Sequence, residues 1–478
     1  MNKTKLGQVY ASVENVRPPS HRRQPVFSLT TLKQLFRLAL PMVVSQGAFA
    51  IMMFTDRFFL SRISPTHIAA SLGGGVTFFV SAALFTGIMS YANALVAQYY
   101  GAGDLRKCPQ VVTQGILMAV LCQPLLLLVT LLMGNIFAYM DHDPAQVVLE
   151  QQYYYVLMAG SILVLIKICF ASYFSGIANP RVVMIADVIG VLLNIPLSYV
   201  LIFGKLGMPQ LGIVGAALGT VAATLLTISV YLAFYFNAIH RARFYVLESF
   251  RYNPGILKRY VRLGLPSALE VFIGAATFNF FLLLFQGFGV NEGAAMAIVF
   301  NWDMLSFVPL VGLNIAVMSM IGRSVGAGDL SQANKVISSG FIIGLSYSGV
   351  MGVLFIIYRV DLVSVFATPG ADFSAIIILG SQMMIGMATY VMADAVILVC
   401  SGTLRGAGDT RWLMTTSISI RVLMLVIQYV LIKWLDVGPL ASWWVFVVSL
   451  MSLSVAYFSR VLGSSWRRPE RLARMMAE

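Results

Sequence analysis

Long apolar runs follow one another along almost the whole chain, separated by short polar segments. Each run can cross a hydrocarbon core, which takes roughly 20 helical residues. The runs are continuous, as in 111–133 and 341–358. An outer-membrane barrel would instead show segments of about 10 residues with alternating polarity. A helix satisfies its own backbone groups in lipid, so the pattern predicts an all-α polytopic membrane protein. Twelve transmembrane helices are predicted, at 36–60, 68–98, 112–134, 151–176, 182–203, 212–237, 263–287, 294–323, 336–358, 375–404, 412–433 and 440–460.

The pattern also repeats. Leu38, Ala39, Leu40 and Pro41 recur as Leu263, Gly264, Leu265 and Pro266, and the Gly-Ala-Gly-Asp segment 101–104 recurs at 326–329. Both pairs lie 225 residues apart, as do Gly87 and Gly312, and Gly115 and Gly340. Ser175 and Gly176 match Ser401 and Gly402 at an offset of 226. So steady an offset indicates an internal duplication. Six spans per copy is even, so both copies keep one orientation, related by a pseudo-twofold axis along the membrane normal. The expected organisation is a 1–35 segment, six-helix lobes at 36–237 and 263–460, a basic loop at 238–262 and a basic tail at 461–478. Two such lobes enclose a central cleft, which rocking one lobe against the other opens alternately on each side.

The chain is 59% hydrophobic and 11% charged, where a soluble domain carries about 25% charged residues. The net charge of +13 reflects topology rather than a nucleic-acid partner. Most of the 32 Lys and Arg fall on one side, including Arg241, Arg243, Arg251, Lys258, Arg259 and Arg262 in one loop and Arg460, Arg467, Arg468, Arg471 and Arg474 at the end. The opposite loops hold Arg62, Lys205, Arg359 and Lys433. The positive-inside rule then puts both termini in the cytoplasm, in a multi-pass inner-membrane protein. Residues 1–28 have no apolar core, so no cleaved signal peptide is expected. Cys108, Cys122, Cys169 and Cys400 form no paired motif, and His21, His67, His142 and His240 lie in or near connecting segments. Neither set implies a metal site or disulfide framework.

Five acids lie inside spans: Asp56, Asp187, Glu270, Asp303 and Asp394. Each costs up to about 3 kcal/mol at a helix centre, which marks an ion or substrate pathway unless a salt bridge explains it. Asp394 and Glu270 lie at similar depth and are expected to share an ion site, with Tyr390 one helical turn from Asp394. Arg421 is the structural alternative, as a partner for either acid. Asp56 sits beside Arg57, and an interfacial ion pair is the alternative for it. Asp187, Asn194 and Ser198 form one polar stripe on span five. Lys167 is expected to bridge Asp187, leaving Asn194 and Ser198 to line the cleft. Asp303, with Asn301 and Trp302, is a secondary candidate. Gly73, Gly74 and Gly75 are expected to allow close helix packing. No nucleotide-binding or hydrolytic motif is present. The chain is therefore expected to be no enzyme, to need no ATPase subunit or cofactor, and to draw on an ion gradient.

These motifs resemble the multidrug and toxic compound extrusion (MATE) family, over nearly all twelve spans. The resemblance rests on Pro41 followed by Asp56, on 193–197 leading to Phe203, Gly204 and Lys205, on 393–395 leading to 401–406, and on the paired Gly-Ala-Gly-Asp segments. It implies an antiporter that exports lipophilic organic cations in exchange for Na⁺ or H⁺ by rocker-switch alternating access; the chain is expected to act as a monomer. It implies a coupling carboxylate at Asp56, a bending proline at Pro41 and a polar position at Asn194. Asp394 and Tyr390 match the C-lobe ion site of the NorM-like branch, making Na⁺ at Asp394, Glu270 and Tyr390 an expectation. Two departures stand out. Ser198 replaces an aspartate of some relatives, and Gly274 stands where that branch carries its span-seven glutamate, so Glu270 is expected to substitute from one turn earlier. The rival is a lipid-linked oligosaccharide flippase of the same superfamily, which should line its cleft with bases; here acids outnumber bases within the spans.

Overall fold

The computed structural model describes residues 27–139, 143–367 and 373–468. The segment 1–26, His21, His142, Arg471 and Arg474 lie outside them. Among the described residues there is no strand. Spans one to six are Leu29–Ser61, Pro65–Ser90 continued by Ala92–Gly101, Lys107–Gly134, the pair Pro144–Ala159 and Ser161–Gly176, Pro180–Phe203, and Gly212–Tyr235. Spans seven to twelve are Pro254–Gln286, Val290–Gly326, Leu330–Ile357, Ser374–Gly406, Thr410–Lys433 and Pro439–Leu462. Eleven are long and apolar enough to cross a bilayer, and the bent pair of span four makes twelve.

Span four departs from the straight helix expected at 151–176. It starts at Pro144, where the Asp143 side chain accepts from Ala145 N, and bends by 49° between its halves. The bend falls at Gly160, where Val221 of span six stands 2.5 Å from the place of a Cβ. The connection between the halves also holds more structure than a loop. It contains a short helix, Ala238–Phe244, and span seven begins at Pro254. Asn237 and Asn253 start these helices by accepting from backbone N–H groups within polar sequence, where an apolar run gives no sign of them.

Packing follows the duplication. Span one packs on span eight as span seven packs on span two, and spans one with five, two with four, and five with six repeat as seven with eleven, eight with ten, and eleven with twelve. Glycines make the reciprocity residue-specific. A Cβ on Gly87 would stand 2.8 Å from Ala268, and one on Gly312 would stand 2.7 Å from Val43. Gly101 likewise lies on the Arg323 backbone, and Gly326 on the Gln98 backbone. Each contact maps onto its mate by the 225-residue offset, which is what a twofold axis between two lobes requires.

One pairing read from sequence is corrected. Gly176 packs on Asn93 and Val96, and the residue packing on their equivalents, Met318 and Ile321, is Gly406 rather than Gly402. The offset therefore lengthens to 230 by the end of span ten. Gly115 on Cys169 and Gly340 on Val399 agree with this.

The glycine seam closes one end of the bundle, the end that carries the start of span one, the end of span twelve and the 236–253 connection; it is called the terminal end below. Hydrogen bonds stitch the lobes together there. Tyr91 donates to the Arg405 carbonyl at 3.1 Å, Asn93 to Ile315 at 3.2 Å, Gln98 to Gly406 at 2.8 Å, and Ser319 to Ser175 at 2.7 Å.

Candidate functional site

Each lobe buries its own polar cluster, and the clusters do not follow the twofold symmetry. Phe281 stands at the equivalent of Asp56, and Phe78 at that of Asp303.

In the first lobe, spans one and five run parallel in register. The Ser45 hydroxyl donates to Asp187, and Asp56 lies beside Ser198; in each case the partners are 142 residues apart. Lys167 Nζ is 3.0 Å from Asp187 Oδ1, a half-buried pair that offsets the charge of this acid. Asp56 is 5% exposed and accepts from Thr220 Oγ1 of span six at 3.0 Å. Its neighbour Arg57 is not its partner, so the ion-pair alternative does not hold. Tyr153 of span four stands near both.

Asn194 and Ser198 are fully buried. They face the interior of the lobe rather than an open cleft, because Gly219 lets span six approach Ser198 closely. Both Asn194 amide atoms and Ser198 Oγ lack a hydrogen-bond partner among the described residues. Pro41 is buried within an unbroken helix.

In the second lobe, Asp394 is 8% exposed. The charged groups within electrostatic reach of it are Asp303 of span eight and Arg421 of span eleven. The Tyr390 hydroxyl stands next to both carboxylates. It makes no hydrogen bond of normal geometry among the described residues, and neither does Asp303 Oδ1. Arg421 donates from Nε to Ser417 Oγ at 3.1 Å and from Nη1 to the Gly274 carbonyl at 3.4 Å.

The structure brings Tyr390 to Asp394 but does not bring Glu270 to them. Glu270 is ion-paired with Arg405 at the end of span ten, and Asp303 takes the place beside Asp394. Arg421 occupies the space at Gly274. Asn301 stays outside the cluster, exposed, and donates to Ala297 of its own helix at 2.8 Å. No three acidic, His or Cys side chains converge among the described residues.

Sequence reasoning missed Thr220, Arg405 and Glu150. A threonine in an apolar run carries no signal, and Arg405 lies just past the expected end of span ten at 404. Glu150 fell just before the expected start of span four. It is fully buried, Gln146 donates to it at 2.9 Å, and it packs on Gly73, with Tyr153 on Gly74. The glycine run thus makes room for a buried acid as well as for a helix.

Twelve spans in two lobes, an inter-lobe seam and buried carboxylates define a membrane transporter. The sequence pattern of the MatE family matches residues 41–200 and 266–430, segments that begin at Pro41 and Pro266. The chain belongs to the MatE family, whose members are transporters and not enzymes. Solved structures share the fold. A MOP-superfamily transporter from Pyrococcus furiosus, described as having a binding pocket of reversed polarity, is 20% identical with a TM-score of 0.83, over 95% of this chain and 100% of that one. The outward-facing form of a multidrug-resistance MATE transporter is 20% identical with a TM-score of 0.80, over 93% and 96%. A eukaryotic MATE transporter is 18% identical with a TM-score of 0.81, over 94% and 98%.

Proposed function

We propose that this protein exports lipophilic organic cations in exchange for Na⁺ or H⁺ by rocking its two lobes. The observation that carries the reading is the pair Asp303 and Asp394, two neighbouring carboxylates that share the Tyr390 hydroxyl, with one arginine, Arg421, in reach of Asp394. Lys167 offsets Asp187 and Arg405 offsets Glu270, which leaves Asp56, Asp303 and Asp394 as the candidates among the five acids read from the sequence. Two carboxylates in one dry site do not both stay charged without a cation. A proton, Na⁺ or an organic cation meets that need, so each displaces the others. Ion entry then expels cargo, and cargo entry expels the ion.

The basic residues of the terminal end support a cytoplasmic position for it in a cell inner membrane. The sealed seam then corresponds to a state open to the outside, ready to release cargo and take up the ion. An acidic interior favours a cationic cargo over the pyrophosphate of a flippase substrate.

The test is ethidium efflux from proteoliposomes with Na⁺ and pH gradients imposed separately. Efflux driven by one gradient supports the reading and names the ion. Absence of efflux under both overturns it.

A further inference from the structure

Beside the glycine seam, at the terminal end, the lobes leave a cavity of about 580 Å³. Arg37, Asn179 and Arg181 line it from the first lobe, and Arg323, Asp329 and Gln332 from the second. Three guanidinium groups thus share one space with a single carboxylate. None of the three is ion-paired among the described residues. Arg323 makes one bond, from Nε to the Ser319 carbonyl of its own helix at 3.4 Å. Asp329 is engaged in capping span nine, accepting from Gln332 N at 2.9 Å. Span five starts at the cavity wall, and Asn179 gives it no side-chain cap.

Topology alone accounts for basic residues along this end, but not for their convergence here. The twofold-related position shows the contrast. Gln98 and Arg259 stand at the equivalents of Arg323 and Gln34, and there Arg259 donates to Gln98 at 2.6 Å while Gln98 donates to Gly406 at 2.8 Å. In one copy the arginine is engaged by a glutamine side chain; in the other, Arg323 bonds only the Ser319 carbonyl of its own helix among the described residues.

We propose that this cavity binds a phosphoryl group, from a lipid headgroup or a soluble phosphate, across the closed terminal end. Guanidinium forks match phosphate oxygens in pairs, and a helix start adds backbone donors. Both lobes build the walls, so rocking the terminal end open pulls Arg323 away from Arg37 and Arg181. The ligand therefore binds the closed form and shifts the population towards it. Without the ligand, three like charges oppose closure. This cavity lies apart from the Asp303 and Asp394 pair, and its ligand is neither cargo nor coupling ion.

The test uses the full chain in phosphatidylcholine nanodiscs titrated with inorganic phosphate. A second arm uses nanodiscs carrying increasing phosphatidylglycerol and no phosphate. Thermal unfolding and hydrogen exchange of segments 98–104 and 324–329 are read in both. One arm is expected to raise Tm and slow exchange, and the responding arm identifies the source. Arg37→Gln and Arg181→Gln, both at exposed positions, are each expected to weaken the response about tenfold. Arg411→Gln, an exposed arginine at the same end outside the cavity, is expected to match wild type. No response in either arm overturns the proposal, as does an equal loss in Arg411→Gln.

Discussion

The Arg421 guanidinium carbon lies 3.2 Å from where a Cβ on Gly274 would stand. A cation thus fills the space beside the residue where an acid was expected, and the same cation is in reach of Asp394. It is the one base in electrostatic reach of Asp394 among the described residues, so it tempers that carboxylate's demand for a positive guest. Arg421→Met should tighten ethidium binding at least tenfold, about 1.4 kcal/mol, and slow release. The check is ethidium affinity alongside turnover, with affinity rising as turnover falls.

Glu270 is ion-paired with Arg405, and the expectation from that contact is a structural role. Breaking a buried pair on one side costs about 3–5 kcal/mol, whereas replacing both partners is often near neutral. Glu270→Gln should therefore lower the unfolding temperature, and Glu270→Gln with Arg405→Met should recover most of it. Neither change should alter which ion drives efflux; an altered ion dependence would return Glu270 to the coupling site.

The seam at Gly101 tolerates no side chain, since a Cβ would overlap the Arg323 carbonyl. Gly101→Val should hold the terminal end open. Thiol labelling of a cysteine placed at Ser319, which is 2% exposed, should become fast, and efflux should fall at least tenfold while the protein still inserts.

His240 lies outside the spans, with Nε2 2.9 Å from the Tyr173 hydroxyl. Burial first, and Arg243 second, push its imidazole down from 6.5 to about 4. Between these values the unfolded chain binds the proton and the folded one does not. This contribution to stability is therefore present above pH 6.5 and is lost as pH falls towards 4. His240→Gln should flatten that part of the Tm against pH curve.

The spans were legible because lipid demands long apolar runs, and the duplication because glycine contacts hold the spacing of Gly87 with Gly312 and of Gly101 with Gly326. Depth along the membrane normal was legible too, since rise per residue is constant; it put Lys167 level with Asp187. Direction around a helix was not. A span apolar on all faces gives little sign of which side meets which neighbour. Glu270 and Asp394 share a depth yet answer to different partners, and Asp303, from another span, proved to be the companion of Asp394. Asn194 and Ser198 were read as cleft-lining for the same reason.

The central claim is that one pair of carboxylates serves both the coupling ion and the cargo. Ethidium binding to the purified protein, titrated with Na⁺ and with pH, tests it most directly. In wild type one ion should displace ethidium competitively, and Asp394→Asn should abolish that competition and weaken binding at least tenfold, about 1.4 kcal/mol. Competition that persists unchanged in both Asp394→Asn and Asp303→Asn would contradict it.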